Sequence, residues 1–517
     1  MIMQIVNRRQ FLNSLASGMG AAMVAGQMFS AGCDKRRKRP NILLAISDDQ
    51  SWEHFGVYGC KAVKTPAFDR IAAEGALFSR VFAAAPQCSP NRASLLTGRH
   101  IWQNREAGTH SSSFPSDLVV YPDLLEQSGY VVGYTGKPWS PGNWKVSGRK
   151  RNPAGDPFNE KKIDTPPTTG IGKIDYAANF EDFLAKKDPE KPFCFWYGAY
   201  EPHRAYETGS GLRSGKLLSD VQVPGFLPDN ETVRSDILDY LLEIEWFDLH
   251  LAKMMKLLEA RGELDNTVII VTSDNGMPFP HSKANLYEHG VRMPLAIRYP
   301  PAILAGRRIE ELISFVDIAP TILETAGVKV PAEMTGSSFL PVLTGSPHKG
   351  INSAWDHVLF GRERHTHARP DNVGYPSRAI RTEKYLYAWN IKPDRWPVGN
   401  PPGYEDTDGD SPSKDYVLAH RQDGADTRYY EQTFALRPGE ELYDVEKDPG
   451  CMVNLALQPD YAKTVAELRT KLQEELRKQG DPRMKGSEIF DSYPRYNYMR
   501  KELPGFKESG KYNPAFK

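Results

Sequence analysis

The chain has no excess charge of either sign. Lys plus Arg number 65 and Asp plus Glu number 65 in 517 residues, so no global basic field draws it to nucleic acid and no acidic bulk keeps it unfolded. Any anion site must therefore be local. Cysteine is scarce: Cys33, Cys60, Cys88, Cys194 and Cys451 are too few and too scattered for a disulfide framework or a zinc pattern. Cys60, Cys194 and Cys451 read as small buried hydrophobes, which leaves Cys33 and Cys88 for separate readings. Long hydrophobic runs are missing too, and the N-terminal apolar stretch is too short of large residues and too rich in glycine to span a membrane. No internal repeat or low-complexity tract is present. The length exceeds what one core usually organises, which predicts a large domain and a smaller one.

The N-terminal segment, "NRRQFLNSLASGMGAAMVAGQMFSAGC", sets Arg8 and Arg9 before a run of small apolar residues and resembles a twin-arginine export signal. "SAGC" resembles a bacterial lipoprotein cleavage site, with Ser30 where Leu is usual, at which Cys33 would be acylated. Residues 1–33 are thus expected to be an export signal read by the twin-arginine translocation machinery, with a lipid anchor at Cys33 and an unacylated Cys33 both left open, and the mature protein to be periplasmic or on the cell surface. Residues 34–39 form a basic linker. An N-terminal helix belonging to the fold is the competing reading, and the charged "DKRRKRP" that follows at once speaks against it.

Beyond the linker, "PNILLAISDD" is an apolar run of strand length that ends in two aspartates, and "NTVIIVTSDNG" repeats the pattern far downstream. Both read as buried parallel strands whose carboxyl ends face a site. Between them lie helix-like segments, "TPAFDRIAAEGALF" and "VVYPDLLEQSGY", and strand-like ones, "VVGYTGK" and "KPFCFWYGAYEPH". The alternation predicts an α/β fold with a large doubly wound mixed sheet flanked by helices. The longest helix is expected from about Glu231 to Ala260, with Ile237, Leu241, Ile244, Leu251, Met255 and Leu258 on one stripe and Gly262 as its stop. Past residue 351 the pattern changes to antiparallel strands, long polar loops and a late amphipathic helix, "TVAELRTKLQEELRKQG". The expected division is 40–351 for the large domain and 352–517 for a smaller α+β subdomain that completes the site.

In a doubly wound sheet the carboxyl ends of the strands converge on one crevice. That would gather Asp48 and Asp49 from one strand with Asp274 and Asn275 from the other. Four hard oxygen ligands, without Cys or clustered His, favour Ca²⁺ or Mg²⁺ over zinc. Each string alone also serves as a helix N-cap or a turn; their joint position at two apolar strand ends is what favours a metal.

Residues 88–99, "CSPNRASLLTGR", resemble the signature of the type I sulfatases, C-x-P-x-R followed by T-G-R. The resemblance extends through "TGK", "EPH", "SDNG", "NLYEHGVRMP" and "ELYDVEKDP" and implies an alkaline-phosphatase-like fold. It also implies that Cys88, itself a metal-side residue, is oxidised to formylglycine by a formylglycine-generating maturation enzyme. The hydrated aldehyde would attack sulfur, and its second hydroxyl would then expel sulfate. By the same resemblance Arg92 holds the modified side chain, Lys137 and Lys283 grip sulfate, and His203 is the general acid. Either lysine, read alone, would be a solvated surface charge, and His203 a hydrogen-bonded structural histidine. Two departures stand out. Asn91 occupies a position where the family commonly has Ser, and Trp139 occupies the place of a histidine in G-K-x-H that assists sulfate loss; His54 or His281 is expected to stand in for it, or else the metal and lysines act alone.

"TSDNGMPFPHSKANLYEHG", "PFCFWYGAYEPHR" and "GYPSRAIRTEKYLYAWN" most resemble the heparan N-sulfatase branch, which implies a sulfated carbohydrate substrate, a sulfated glucosamine or glycosaminoglycan end. His281, His289, Glu363, His365 and Arg378 are candidate sugar contacts, polar side chains on loops over such a site; ordinary loop polarity explains each equally well. Two other readings remain open. One is a phosphate or phosphonate monoester hydrolase of the same superfamily, and the other a surface lipoprotein that binds sulfated glycans without turnover.

Overall fold

The computed structural model describes residues 39–346 and 351–496. The export signal, most of the basic linker and Cys33 lie outside the described residues. Thirteen strands form two sheets among the described residues. They are β1 (Asn41–Ser47), β2 (Ala76–Phe82), β3 (Val131–Gly136), β4 (Asp156–Pro157), β5 (Phe193–Gly198), β6 (Thr267–Ser273), β7 (Arg292–Arg298), β8 (Arg307–Ile309), β9 (Ile313–Ser314), β10 (His357–Arg362), β11 (Ser377–Thr382), β12 (Tyr385–Asn390) and β13 (Glu440–Asp444). The helices that matter here are α1 (Pro66–Glu74), α2 (Cys88–Thr97), α3 (Tyr121–Gln127), α4 (Tyr176–Lys186), α5 (Glu231–Ala260) and α6 (Ala462–Lys478).

The large sheet runs β4-β3-β5-β1-β6-β7-β2-β8, with β9 also on β2. β4, β3, β5, β1 and β6 are mutually parallel, and β7 runs against both β6 and β2. The sheet is therefore mixed. β1 is buried along its whole length, and its alternation sorts two cores: Ile42, Leu44 and Ile46 face one side with α2 residues Ala93, Leu95 and Leu96. Leu43 and Ala45 face the other, with the α5 residues Ile237, Leu241, Ile244, Leu251, Met255 and Leu258, the stripe expected from their spacing. The N-terminus of α5 is capped by Asn230, whose side chain accepts from Val233 N at 3.0 Å.

One expected element divides differently. "TPAFDRIAAEGALF" is not a continuous helix: α1 stops at Glu74, and "ALF" opens β2. The reason is Gly75, where a Cβ would lie 2.1 Å from the Ile297 carbonyl of β7. Only glycine lets the chain turn there against the neighbouring strand.

The second sheet is antiparallel, in the order β10-β11-β12-β13. One face (Leu359, Ile380, Tyr387, Leu442) packs on α6 through Val465, Leu468, Leu472 and Leu476. Its other face (Val358, Phe360, Ala379, Leu386) packs on Phe82, Leu286, Tyr287 and Val291 of the large domain. The smaller sheet thus shares core with the larger, and its loops reach back over the carboxyl ends of the parallel strands.

Candidate active site

The register of the parallel strands builds the site. Ser47 on β1 is paired with Ser273 on β6, so the next residues, Asp48 and Asp274, emerge side by side, with Asp274 N donating to the Ser47 carbonyl at 3.1 Å. On the other side of β1, β5 delivers Glu201 and then His203, and Asp48 N donates to the Glu201 carbonyl at 3.0 Å. β3 delivers Lys137, whose N–H reaches the Gly198 carbonyl at 2.7 Å. Gly136 and Gly198 make that approach possible, since a Cβ on Gly136 would sit 1.9 Å from the Gly198 oxygen.

Across these ends lies α2, whose ten residues are all buried. Cys88 opens it, with Sγ 3.5 Å from Asp48 Oδ1 and 3.8 Å from Asp49 Oδ1. Arg92, one turn on, donates from Nε to Asp274 Oδ2 at 2.8 Å and from Nη1 to the Lys137 carbonyl at 2.7 Å. The neighbouring amide explains the Asn91 departure. Asn91 Oδ1 accepts from Ala84 N at 2.8 Å while Nδ2 donates to the Asp274 carbonyl, a two-ended tie that the short serine hydroxyl could not span.

Asp48, Asp49, Asp274 and Cys88 place ligand atoms within 4.8 Å of one another. Asn275 Nδ2 donates to Asp49 Oδ1 at 2.7 Å, which leaves the buried Asn275 Oδ1 without a hydrogen-bond partner. Three carboxylates and an orphaned amide oxygen, all shielded from water, could hold a metal ion, and their oxygen chemistry fits a hard divalent cation. Burial, together with Asp48, raises the Asp274 carboxyl. Burial raises Asp48 as well, but Lys137, His203 and Arg92 outweigh it and hold that group below its usual value.

The Cys88 thiol is pushed well above its ordinary value, by burial first and then by Asp274, Asp48 and Asp49, against Lys137. A thiol that resists ionisation is a poor nucleophile as it stands.

Two lysines flank the cluster. Lys137 Nζ is ion-paired with Asp48. Lys283 Nζ lies 2.5 Å from Asp49 Oδ2, 2.8 Å from Asp408 Oδ2 and 3.1 Å from His203 Nε2. His203 Nδ1 lies 2.6 Å from the Arg204 carbonyl, which can only accept, so that nitrogen carries the proton and Nε2 turns to the pocket.

A cavity of about 390 Å³ opens above Cys88, with Asp48, Lys137, His203 and Lys283 in its floor and His110, Tyr200, Glu201, His365, Thr366 and Asp408 among its walls. His365, Thr366 and Asp408 come from the loops of the smaller subdomain. His110 and Asp408 carried no motif in the sequence; one lies in "GTHSSSFP" and the other in "EDTDGDSP", strings indistinguishable from ordinary loops.

Of the five expected sugar contacts, His365 lines the cavity. The other four belong to the packing. Arg378 is wholly buried, donating to Asp481 Oδ2 at 2.6 Å and Glu363 Oε1 at 2.7 Å, and Glu363 also takes Arg483 at 2.6 Å. His281 stacks on Tyr287 at 4.3 Å between ring centroids, with its nitrogens 3.3 and 2.9 Å from the Gln432 and Gly450 carbonyls. His289 Nε2 meets Glu53 Oε1 at 3.1 Å beside Trp52. The polar contacts shown for them are all to neighbouring protein groups. Neither expected stand-in for the missing histidine reaches the cavity, since His54 sits buried with Nδ1 2.9 Å from the Tyr240 hydroxyl and His281 is placed as above.

A family model described as sulfatase matches residues 40–328, and one described as N-sulphoglucosamine sulphohydrolase, C-terminal, matches residues 280–398. An ulvan-active sulfatase of Formosa agariphila is 29% identical over 454 residues, covering 86% of this chain and 81% of the relative. The N-sulphoglucosamine sulphohydrolase of Homo sapiens is 29% identical over 476 residues, covering 84% and 90%. Among solved structures, a protein in complex with its substrate D-glucosamine-2-N,6-O-disulfate superposes with a TM-score of 0.65 at 23% identity, covering 86% of this chain and 99% of that one. That likeness concerns the fold.

Proposed function

The chain belongs to the sulfatase family, and from that premise we propose that it removes sulfate from a sulfated amino sugar, using Cys88 converted to formylglycine beside a Ca²⁺ or Mg²⁺ ion. The observation that carries the reading is the convergence of Asp48, Asp49, Asp274 and the orphaned Asn275 oxygen on the first residue of a buried helix, under a cavity whose floor holds two lysines. The protonated, carboxylate-ringed thiol supports it from the other side, because such a site needs a better nucleophile than cysteine.

Asp48, Asp49, Asp274 and Asn275 would hold the cation, which when bound neutralises the incoming sulfate's charge. Formylglycine, when formed, supplies a hydrated aldehyde hydroxyl as nucleophile. The rest falls to the chain's own groups. Arg92 fixes Asp274 and the Lys137 backbone, so the two sides of the sulfate seat move together. Lys137 and Lys283 offer charge-assisted hydrogen bonds to sulfate oxygens. His203, its Nδ1 proton committed to the Arg204 carbonyl, exchanges a proton through Nε2 with the departing nitrogen or oxygen.

The name of the human relative favours an N-sulfated glucosamine end, and a pocket walled by Asp408, Glu201 and two histidines suits a polar sugar. The Arg8–Arg9 segment and "SAGC" support export through the twin-arginine route to the periplasm or cell surface, with maturation of Cys88 by a formylglycine-generating enzyme and acylation of Cys33. The test is a defined panel of N-, 2-O-, 3-O- and 6-O-sulfated glucosamine, sulfated galactose and sulfated fucose, with matched aryl sulfate and aryl phosphate esters. Release from N-sulfated glucosamine is expected, together with a Cys88 peptide lighter by the change from thiol to aldehyde. Faster phosphate than sulfate ester hydrolysis would move the protein to the phosphohydrolases. An unmodified Cys88 with sulfated-glycan binding and no release would make it a binding protein.

A further inference from the structure

A sulfatase that stores sulfate on the carbon of residue 88 must also let it go. Of the two oxygens on that carbon, one would carry the sulfate and the other would be a hydroxyl; release would require that the hydroxyl lose its proton while C=O forms and the C–O bond to sulfate breaks. The side chain after Lys137 and Pro138 cannot take that proton. Trp139 is buried with its Nε1–H donated to the Ser89 carbonyl at 3.0 Å and its ring edge-on to Phe114, and indole has no basic nitrogen.

Resting on the reading above, we propose that His110 is the base that takes this proton and so resets the nucleophile. The chain has 12 histidines, and among the described residues three line the cavity with Cys88: His110, His203 and His365. His203 is engaged with Lys283 on the leaving-group side. His365 is turned to the smaller subdomain, with Nδ1 3.6 Å from the buried Asp406 carboxylate.

His110 is held against the first turn of α2. Ser111 N donates to Ser89 Oγ at 3.2 Å, and Ser89 is the next residue after Cys88. The Trp139 indole braces the same place, because it takes the Ser89 carbonyl and packs beside Gly142, which also abuts the Ser112 carbonyl. On its far side the His110 backbone donates to the Arg364 carbonyl at 3.1 Å, and its ring meets His365 edge-on at 4.4 Å between centroids. Nδ1 lies 3.2 Å from Ser111 Oγ and the residue lines the cavity with Cys88, so Nε2 is the ring nitrogen assigned to the cavity. The tryptophan that displaced one histidine thus buttresses the segment that supplies another.

The surroundings suit the task. Burial, then the positive field of His365, Arg495, Lys283 and Lys137, holds the His110 ring well below the ordinary imidazole value, so it meets the substrate neutral. A bound sulfate cancels part of that field, which makes the ring a stronger base at the stage that needs one. In the step itself the hydroxyl proton passes to Nε2, its electron pair forms the aldehyde C=O, and the pair of the breaking C–O bond leaves with sulfate. The imidazolium then loses its proton to water through the open cavity.

The experiment uses the matured, metal-loaded full chain with an excess of sulfated glucosamine. Wild type should turn over steadily. His110→Ala should release about one equivalent of sugar per enzyme in a rapid-quench burst and then slow about 10²–10⁴-fold. Its residue-88 peptide should retain sulfate in the mass spectrum, and added imidazole should restore turnover. His110→Gln, which keeps the side-chain bulk, should show the same burst and serves if the alanine variant unfolds. A variant that turns over at the wild-type rate, or that slows the first release without a burst or sulfated peptide, overturns the inference. Wild-type protein that releases no sulfate at all overturns the underlying reading instead.

Discussion

Among the clusters of buried charge in the described residues, the one around Arg378 and the one around Cys88 differ in how far their polar groups are answered. Around Arg378 every charge is answered: Arg378 reaches Asp481, Glu363 and the carbonyls of Arg362 and Ser377, and Arg483 closes the group on Glu363. Around Cys88 the accounts do not close. Three aspartates crowd one point, Asn275 Oδ1 and Arg92 Nη2 are buried without a hydrogen-bond partner, and the thiol between the carboxylates is held protonated. Burial and charge are common to both. What sets the Cys88 cluster apart is unmet hydrogen-bonding capacity together with three carboxylates converging on one point.

The sharpest way to test that contrast is to remove one central side chain from each cluster. Cys88→Ala should lower desulfation by roughly 10⁴–10⁶-fold, as loss of a covalent nucleophile does, with little change in the unfolding midpoint; steady-state release of sulfate and a thermal melt measure both. Arg378→Ala should do the reverse. It strands Asp481 in the interior and leaves Glu363 to Arg483 alone, and costs about 3–5 kcal/mol of stability, while KM for the substrate in the folded fraction stays put. A shift in KM without loss of stability would return Arg378 to the substrate site.

The sequence made the first cluster legible and disguised the second, for physical reasons. A strand buried on both faces is written as a continuous apolar run, so "NILLAIS" and "TVIIVTS" declared themselves, and the residues following such runs lie at the carboxyl edge of the sheet whatever their order. The α5 stripe was equally plain, because a helix of 30 residues repeats its period many times. β2 was hidden because it follows α1 after the single residue Gly75, with no longer turn to mark the change. Glu363 and Arg378 read equally as sugar contacts and as loop polarity because pairing across more than a hundred residues, as from Arg378 to Asp481, leaves no local pattern. His110 and Asp408 were missed for the same reason. They reach the cavity from loops, and only the packing of two sheets brings them to Cys88.

Chelation probes the unclosed cluster as a whole. A cation at 100 times its Kd adds about 2.7 kcal/mol to stability, so removing it with a chelator should lower the melting temperature as well as abolish activity. Ca²⁺ or Mg²⁺ should restore both. The Asp274→Asn variant should melt at the same temperature with and without chelator, since its site has lost one of three charges. A wild-type melt indifferent to chelator and to added cation would mean that Arg92, Lys137 and Lys283 neutralise the aspartates alone.

The smallest expected effect lies where the cluster meets the wall built by the smaller subdomain. Asp408 is held below its usual carboxylate range: burial raises it, but Lys283 and then His203 more than offset that. Its Oδ2 shares Lys283 with Asp49, at 2.8 and 2.5 Å, so the lysine is suspended between the cation side and the sugar side. Asp408→Asn keeps an oxygen for Lys283 but removes the charge, a loss of about 1–2 kcal/mol for a charge-assisted bond. The expected result is about a tenfold drop in kcat/KM, because the lysine then leans toward Asp49 and away from the sulfate. Asp408→Ala should cost more than Asp408→Asn if holding Lys283 is the whole of its role. Equal losses in the two variants, confined to KM and varying with the sugar offered, would show instead that Asp408 reads the substrate directly, and the wall from the smaller subdomain would then be a specificity surface in its own right.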